Sequence, residues 1–523
     1  MNMMNTAFPP ARDWDILVIG GGITGAGILL EAARRGLKAL LVEQNDFAWG
    51  TSSRSSKLVH VGLRYLAAGS LRLAHAAVRE REALLRAAPG LVEPQGFAFA
   101  DGAAGMTPRP GFLAVMRLVE MLAGRREPRW EKPESRRVAG PHADPARSPG
   151  GIRYTDAKTD DARLVLRVLD EARRHGAVAL NYVTVQSLVR DGGKVHGAML
   201  ADARTRAEYA VRARVVVNAT GAWSDLAAGQ GAGLRLRALR TSHLVLPSWR
   251  LPLTQAVSLL HPEDGRQVFV FPWEGVTLVG TTSSGPGDAS TSSAHITRQE
   301  VDYLMAALDA QFPQLELGDA DVLATFAGVR PVLDHGPANA PAADDETVRE
   351  HAVWSEPGLV SVAGGRLTTF RSIALDVLRQ VALQIPAWQF GAERGPVFAR
   401  VAVPPRADVA PGVLRRLAGR HGQQAPLLLK AAHAGELECI PGTETLWAEL
   451  RWAARAEQVH HLDDLLLRRT RIGILLAGGG IAQMERIRAI CQSELVWTDE
   501  HWEKEEQRYL AGWRTQHGMP AAA

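Results

Sequence analysis

Asp15–Glu43 reads DILVIGGGITGAGILLEAARRGLKALLVE. Ile16 to Ile19 is a short apolar run rich in β-branched residues, the pattern of a strand buried on both faces. Gly20, Gly22 and Gly25 follow as GxGxxG, with Gly21 and Gly27 as further glycines. Ile28 to Arg35 reads as a helix stopped by Gly36, and Leu37 to Val42 as a second strand ending at Glu43. In such a unit the first glycine permits a tight turn, the second admits backbone close to a pyrophosphate, and the third lets helix pack on strand. The N–H groups and positive dipole end of the helix face that pyrophosphate. Glu43, 18 residues beyond Gly25, stands where an acid bonds a ribose hydroxyl. Together these features predict a dinucleotide site. They do not separate FAD from NAD.

Length and composition bound the rest. A chain of 523 residues suggests about two to four domains. Its 46% hydrophobic and 22% charged residues are ordinary for a globular enzyme. Net charge is +4, from 60 basic and 56 acidic residues, too balanced to argue for nucleic acid. Only seven of the 60 basic residues are Lys. Cys439 and Cys491 are far apart and in no metal spacing, which fits inert thiols in a reducing cytosol. The N-terminus lacks the basic and apolar regions of a signal peptide. No apolar run is long enough to span a membrane as a helix.

Along the chain, residues 1–12 read as a disordered lead-in. Asp46 to Ser70, DFAWGTSSRSSKLVHVGLRYLAAGS, is dense in small hydroxyls, glycines and cations, among them Arg54, Lys57, His60 and Arg64. Directly after the cofactor strand, it predicts a site wall. Leu71 to Ala88 has helical periodicity. Phe112 to Leu122 is strongly apolar and is followed by Arg125, Arg126, Arg129, Trp130 and Lys132. It suits either docking at a membrane interface or a core helix with a solvated end. Tyr154 to Arg163 is expected to lead into a helix from Leu164 to His175, and two strands then meet at a turn, Asp191–Gly193.

Arg214 to Gly221, RVVVNATG, reads as a buried strand that returns ATG to the nucleotide site, a feature of two-motif FAD folds. Gly233 to Gly280 alternates as an antiparallel sheet does. Thr297, with Glu300 three residues on, predicts a capped helix to Phe312. Gly358 to Arg371 reads as a strand, a Gly-Gly turn and a helix start. After Pro404 and Pro405, helical patterns dominate, and a separate helical domain with a short disordered tail is expected. Within it, LDDLLLRRT reads as an internally ion-paired helix.

These pieces resemble the FAD-dependent glycerol-3-phosphate dehydrogenase family. The resemblance rests on VIGGGITGAGI, GTSSRSSKLVHVGLRYL, VVNATGAWSD, SHLVLP, GTT at 280–282, GVRP at 328–331, GGRLTTFR at 364–371 and LDDLLLRRTRIG. They stand in family order over nearly the whole chain. The implied fold is α/β. A two-motif FAD-binding Rossmann-like domain spans 13–70, 150–232 and 325–387. An amino-acid-oxidase-like antiparallel-sheet substrate domain spans 71–149 and 233–324, and an all-helical C-terminal domain spans 400–516. The implied reaction oxidises sn-glycerol 3-phosphate at C2 to dihydroxyacetone phosphate, with hydride to flavin N5 and electrons on to a quinone. The implied location is cytoplasmic, peripheral on the inner face of the cell membrane. A homodimer is compatible and not indicated.

Residue by residue, the resemblance places Arg54 beside the substrate and Arg330 on its phosphate, where a guanidinium pairs bidentately. His243 becomes the candidate base, since an imidazole titrates near neutral pH. The implied cofactor contacts are Gly20, Gly22, Ile23, Thr24, Gly25, Glu43, Thr51, Ser52, Ser53, Ala219, Gly221, Gly365, Leu367 and Thr368. Three positions depart from the family pattern: Val61 for Gly, Thr241 for Gly, and Arg366, a further candidate site residue, for Lys. Arg stays charged and cannot serve as a base. Carboxylate suits Arg as well as phosphate does. An oxidoreductase of the same fold acting on another hydroxy or amino acid is therefore an alternative, and a non-catalytic flavin-binding regulator is a third.

Overall fold

A computed structural model describes residues 13–60, 71–100, 121, 129–131, 142, 151–226, 235–282, 294–334, 351–391 and 395–521. The lead-in at 1–12, Val61, Arg64 and almost all of the apolar 112–122 segment with its basic end lie outside the described residues. The strands are β1 (Trp14–Ile19), β2 (Ala39–Glu43), β3 (Leu58–Val59), β4 (Val92–Ala100), β5 (Arg129–Glu131), β6 (Gly151–Thr159), β7 (Val178–Asn181), β8 (Val183–Asp191), β9 (Lys194–Asp202), β10 (Glu208–Asn218), β11 (Arg235–Pro247), β12 (Ala256–Leu260), β13 (Gln267–Trp273), β14 (Val276–Gly280), β15 (Ala324–Asp334), β16 (His351–Glu356) and β17 (Leu359–Gly364). The helices are α1 (Ile23–Arg34), α2 (Leu71–Ala87), α3 (Asp161–Arg174), α4 (Arg298–Gln311), α5 (Phe370–Gln384), α6 (Pro411–His421), α7 (Ala425–Ala431), α8 (Trp447–Ala456), α9 (Ile472–Leu475), α10 (Met484–Leu495) and α11 (Asp499–Gln516).

The first sheet has the order β16-β17-β10-β1-β2-β7. Strands β17, β10, β1, β2 and β7 run parallel, and β16 closes the edge antiparallel. Alternation explains why β1 is apolar from Ile16 to Ile19. Ile16 and Val18 face a core shared with α1, α3 and α5, while Leu17 and Ile19 face one shared with the β8–β9 ribbon. Both faces are covered from Ile16 to Ile19, so a polar side chain there would be buried without a partner, whereas Asp15 at the strand's start is only half-buried and accepts from the Lys38 N–H. The ribbon turns at Gly192 and Gly193, both with positive φ, as the Asp191–Gly193 reading predicts.

The second sheet has the order β15-β11-β14-β13-β12-β4-β6-β3, with β5 on β6. Helix α4 starts at a capping box: Thr297 accepts from the Glu300 N–H, and the Glu300 side chain accepts from the Thr297 N–H. Val301, Leu304 and Leu308 of α4 pack on Leu244, Val268 and Val270 of one sheet face. Each such burial stabilises by roughly 1.5–3 kcal/mol. The opposite face carries Phe97, Phe271 and Phe326 and is partly covered by Ile474 and Leu475 of α9.

Three expectations change. Residues 151–159 form β6, not a lead into a helix, and α3 begins at Asp161 on an Asp160 cap. β3, β6 and β15, placed from sequence with the cofactor unit, pair in the second sheet, because β6 finds a nine-residue antiparallel register with β4 and β15 an eleven-residue one with β11. The C-terminal tail is ordered through residue 521, and the expected helical domain is present, bound to the cofactor unit by buried ion pairs. Asp464–Arg469 of LDDLLLRRT widen into a π-helical turn whose arginines reach beyond their own helix. Arg468 does pair with Asp463 and Asp464, at 2.8 and 2.6 Å. However, Arg468 and Arg469 also grip Asp46 just past β2, each at 2.5 Å. Arg471 pairs with Asp160 at 3.0 Å and with Asp161, and Lys57 meets Asp161 at 2.9 Å. All of these side chains except Asp463 are essentially sealed from solvent.

Burial alone would push the Asp46 carboxyl up, but Arg469 and Arg468 outweigh it and hold it below the ordinary value. Asp46→Ala leaves two buried guanidinium groups short of a partner, so it is expected to lower stability by about 3–5 kcal/mol. The urea midpoint of the purified protein checks this.

Candidate active site

A cavity of about 750 Å³ lies between the two sheets. One part of its wall is the glycine turn. Gly20 has φ +112°, and a Cβ there would lie 2.6 Å from the Ala219 carbonyl oxygen. A Cβ on Gly25 would lie 2.0 Å from the Gly20 carbonyl oxygen. Turn, α1 and the end of β10 thus close on one another at distances only glycine permits. The ATG return is direct: the Ala219 N–H donates to the Ile19 carbonyl at 2.9 Å.

Glu43 holds this turn in shape. Its carboxylate accepts from the Gly21 N–H at 2.7 Å and the Asn45 N–H at 2.8 Å. Burial raises its pKa, opposed by those two hydrogen bonds. A carboxylate has further lone pairs, so a role toward a ribose is compatible with this scaffold role. Ser52 accepts from the Ile23 N–H at 2.9 Å and so caps the start of α1. Ile23, Thr24, Gly20, Gly22, Glu43, Thr51, Ser52, Ala219 and Gly221 line the cavity. Gly25 and Ser53 do not: Gly25 is packed against the turn, and the Ser53 carbonyl accepts from Lys57 and Arg471. In the ligand-free structure both therefore support the turns that carry the cavity wall.

The other candidate residues come together from distant segments. The Thr51 hydroxyl donates to the Val329 carbonyl at 2.5 Å, and a Cβ on Gly328 would lie 2.7 Å from the Arg54 carbonyl oxygen. The GTSSR turn thus lies flat on GVRP, bringing Arg54 and Arg330 to one cavity. Gly364 and Gly365, at φ +78° and +91°, reverse the chain after β17. Arg366, Leu367 and Thr368 then line the cavity, and the Thr368 hydroxyl donates to the His60 carbonyl at 3.2 Å. A single tight turn, Leu367–Thr369, precedes α5.

His243 sits on β11 between Gly280 of β14 and Phe326 of β15. Its ring stacks on Phe326 at 4.6 Å and 9°. A Cβ on Gly280 would lie 2.2 Å from the imidazole, so glycine there makes room for the ring. His243 is 1% exposed, and among the described residues neither ring nitrogen has a hydrogen-bond partner. The Lys57 ammonium lies 4.4 Å from the Phe326 ring centroid. Burial, followed by the Lys57 charge, lowers His243 to about 3. The expectation of an imidazole titrating near neutrality is therefore corrected: without a ligand it is a neutral acceptor.

Arg54 is 9% exposed and follows the Thr51–Ser53 turn. Among the described residues it forms no ion pair with a carboxylate. Its guanidinium donates to the Gln516 Oε1 at 2.8 Å and lies 5.4 Å from the Trp49 ring. Burial and the Arg468 charge lower it to about 10. A buried cation with only a neutral partner favours an incoming anion. Trp49 and Trp223, 6.0 Å apart, add an aromatic wall. Lys57 was legible only as one cation of the expected site wall, and Phe326 and Gln516 not at all, since their roles arise from contacts across long stretches of chain.

The cradle at Gly20, Gly22 and the start of α1 fits a dinucleotide pyrophosphate, and the cavity continues from it to His243 and Arg54. Residues 15–371 match the family described as FAD dependent oxidoreductase, and residues 389–502 match the C-terminal domain of alpha-glycerophosphate oxidase. The class is therefore a flavoprotein oxidoreductase that takes FAD as its cofactor. The chain is 32% identical to aerobic glycerol-3-phosphate dehydrogenase of Staphylococcus aureus (strain USA300), over 88% of this chain and 86% of that protein. The glycerol-3-phosphate dehydrogenase from Bacillus halodurans, solved with FAD, superposes with a TM-score of 0.75 at 28% identity, over 98% of this chain and 97% of that one. Glycine oxidase from Bacillus cereus ATCC 14579 shares the fold, with a TM-score of 0.51 at 17% identity over 72% of this chain and 98% of that one. The chain belongs to the FAD-dependent glycerol-3-phosphate dehydrogenase family.

Gly25→Ala is expected to abolish flavin retention, read as loss of the yellow absorbance in purified protein, because its methyl would collide with the turn. A second expectation concerns acid. His243 and His517 are both lowered to about 3 when folded, against about 6.5 in the unfolded chain. Below pH 6.5 the unfolded chain binds protons that the folded chain refuses. Stability is therefore full above pH 6.5 and falls progressively toward pH 3. Melting temperature measured from pH 8 to pH 4 should follow this course, and His243→Asn should flatten it.

Proposed function

We propose that the protein oxidises sn-glycerol 3-phosphate at C2 to dihydroxyacetone phosphate and passes the electrons to a membrane quinone. The observation that carries this reading is one cavity shared by two buried, complementary groups: among the described residues, Arg54 is a cation without an anionic partner, and His243 is a neutral imidazole without any hydrogen-bond partner. The first suits a phosphate, the second a hydroxyl proton. The names of the similar proteins from Staphylococcus aureus and Bacillus halodurans point to the same substrate.

Arg54 and Arg330 bind the phosphate and so orient the glycerol C2 toward His243. The imidazole accepts the C2 hydroxyl proton as C2 is oxidised. FAD, when bound, supplies the two-electron acceptor for the hydride. The substrate's negative charge offsets the field of Lys57 and raises the basicity of His243 from its low ligand-free value. Burial of His243 keeps water from competing for its nitrogen. Among the described residues no helix is long and apolar enough to cross a membrane. Delivery of electrons to quinone then requires docking at the inner face of the cell membrane.

Anaerobic mixing with sn-glycerol 3-phosphate should bleach the flavin band. Bleaching by other hydroxy or amino acids alone would replace the substrate, and no bleaching by any, with dithionite still reducing the flavin, would indicate a non-catalytic role. His243→Asn should lower kcat about 10²- to 10⁴-fold, the range for loss of a general base. Arg330→Ala should raise KM; an unchanged KM removes Arg330 from the phosphate site. Comparing reoxidation by a short-chain quinone with reoxidation by oxygen tests the acceptor.

A further inference from the structure

The chain's last helical residue reaches the site from the other end of the sequence. Helix α11 crosses the helical domain and ends on the second sheet. Residues 517 and 518 then cover the exposed edge of β15. The Thr325 N–H donates to the His517 carbonyl at 2.7 Å, the His517 Nδ1 donates to the Thr325 carbonyl at 2.9 Å, and the Thr325 hydroxyl donates to the Gly518 carbonyl at 3.1 Å. Thr325 immediately precedes Phe326, on which His243 stacks. This clasp sets the position of Gln516, whose Oε1 accepts from Arg54 at 2.8 Å.

The choice of a neutral amide is informative. Several other buried arginines here meet carboxylates: Arg81 meets Asp156, Arg163 meets Glu457, and Arg468, Arg469 and Arg471 meet Asp46, Asp160 and Asp161, while Arg173, away from the cavity wall, is held by the Gln458 amide at 2.9 Å. Asp463, the acid whose field reaches Arg54, is itself paired with Arg468 and Arg508. A carboxylate in place of Gln516 would fasten the helix to Arg54 more tightly, but would cancel the charge that an anion needs. An amide orients the guanidinium and leaves its charge intact.

We infer that Gln516 is a positioning residue for anion binding: clamped by residues 517–518 on β15, it aims the charged Arg54 guanidinium into the cavity, so the C-terminal domain completes the substrate site. This rests on the phosphate-binding reading of Arg54 given above.

The test uses the flavin-loaded full chain and compares Gln516→Glu, Gln516→Leu and Arg54→Ala with the wild type. Four quantities are read: KM and kcat for sn-glycerol 3-phosphate, Kd for inorganic phosphate from perturbation of the flavin spectrum, and melting temperature. Gln516→Glu should raise both KM and the phosphate Kd about tenfold, the scale of one charge-assisted hydrogen bond. The loss should fall on KM more than on kcat, and the melting temperature should hold or rise because an ion pair is gained. Gln516→Leu should shift both constants in the same direction by less. If Gln516→Glu keeps wild-type KM and Kd while Arg54→Ala raises both, Gln516 is only a fastener, and the inference falls while the proposed function stands. If Arg54→Ala changes neither constant, the inference and the assignment of Arg54 fall together. If sn-glycerol 3-phosphate is not oxidised at all, the proposed function fails, and the phosphate titration still decides for or against Gln516.

Discussion

Charge sealed from water holds this molecule together. Asp46 and the pair Asp160–Asp161 are taken by Arg468, Arg469 and Arg471, with Lys57 beside them. Each group would be costly to bury alone, so each requires the others. The acids belong to the segments following β2 and β6, and the arginines to the helical domain. The lattice therefore joins the cofactor unit, the second sheet and the helical domain at one point. It stands directly behind the Thr51–Ser53 turn, whose Ser53 carbonyl accepts from both Lys57 and Arg471. The turn that carries Arg54 is thereby fixed by groups remote in sequence.

The same cations set the chemistry of the cavity. Lys57 is neutralised in part by Asp161, yet burial and Arg471 still lower it to about 8. Its ammonium lies on the Phe326 ring that also stacks on His243. One aromatic ring is thus shared by a cation and a neutral imidazole. Burial first, and then the field of Lys57, keeps His243 unprotonated, and that field also favours an anion beside it. In the proposed function a dianionic substrate supplies that anion.

Sequence reading succeeded where the decisive interactions are local. The close approach of Gly25 to Gly20, the Thr297–Glu300 capping box, the 191–193 turn and α2 depend on contacts within a few residues. Reading failed where a segment's partner is distant. Nothing local distinguishes 151–159 as a strand, because its stability comes from pairing with β4. LDDLLLRRT has the spacing of an internally paired helix, and two such pairs do form, but Asp46 lies more than 400 residues away. The histidine of SHLVLP was visible as a candidate, while its low pKa was not, since it follows from burial between Gly280, Phe326 and the field of Lys57.

The amino-acid sequence by itself determined the cofactor cradle and the kinds of side chain available, because a glycine turn between strand and helix and a run of small hydroxyls act at short range. It also carried, through motifs in a shared order, the family to which the chain belongs. Only the tertiary structure decided which of those side chains keep free charge. Arg54 differs from its buried neighbours in meeting Gln516 instead of a carboxylate, 462 positions along the chain. That selection is made by packing two sheets and a helical domain around buried ions, and such long-range desolvation leaves no mark in local sequence.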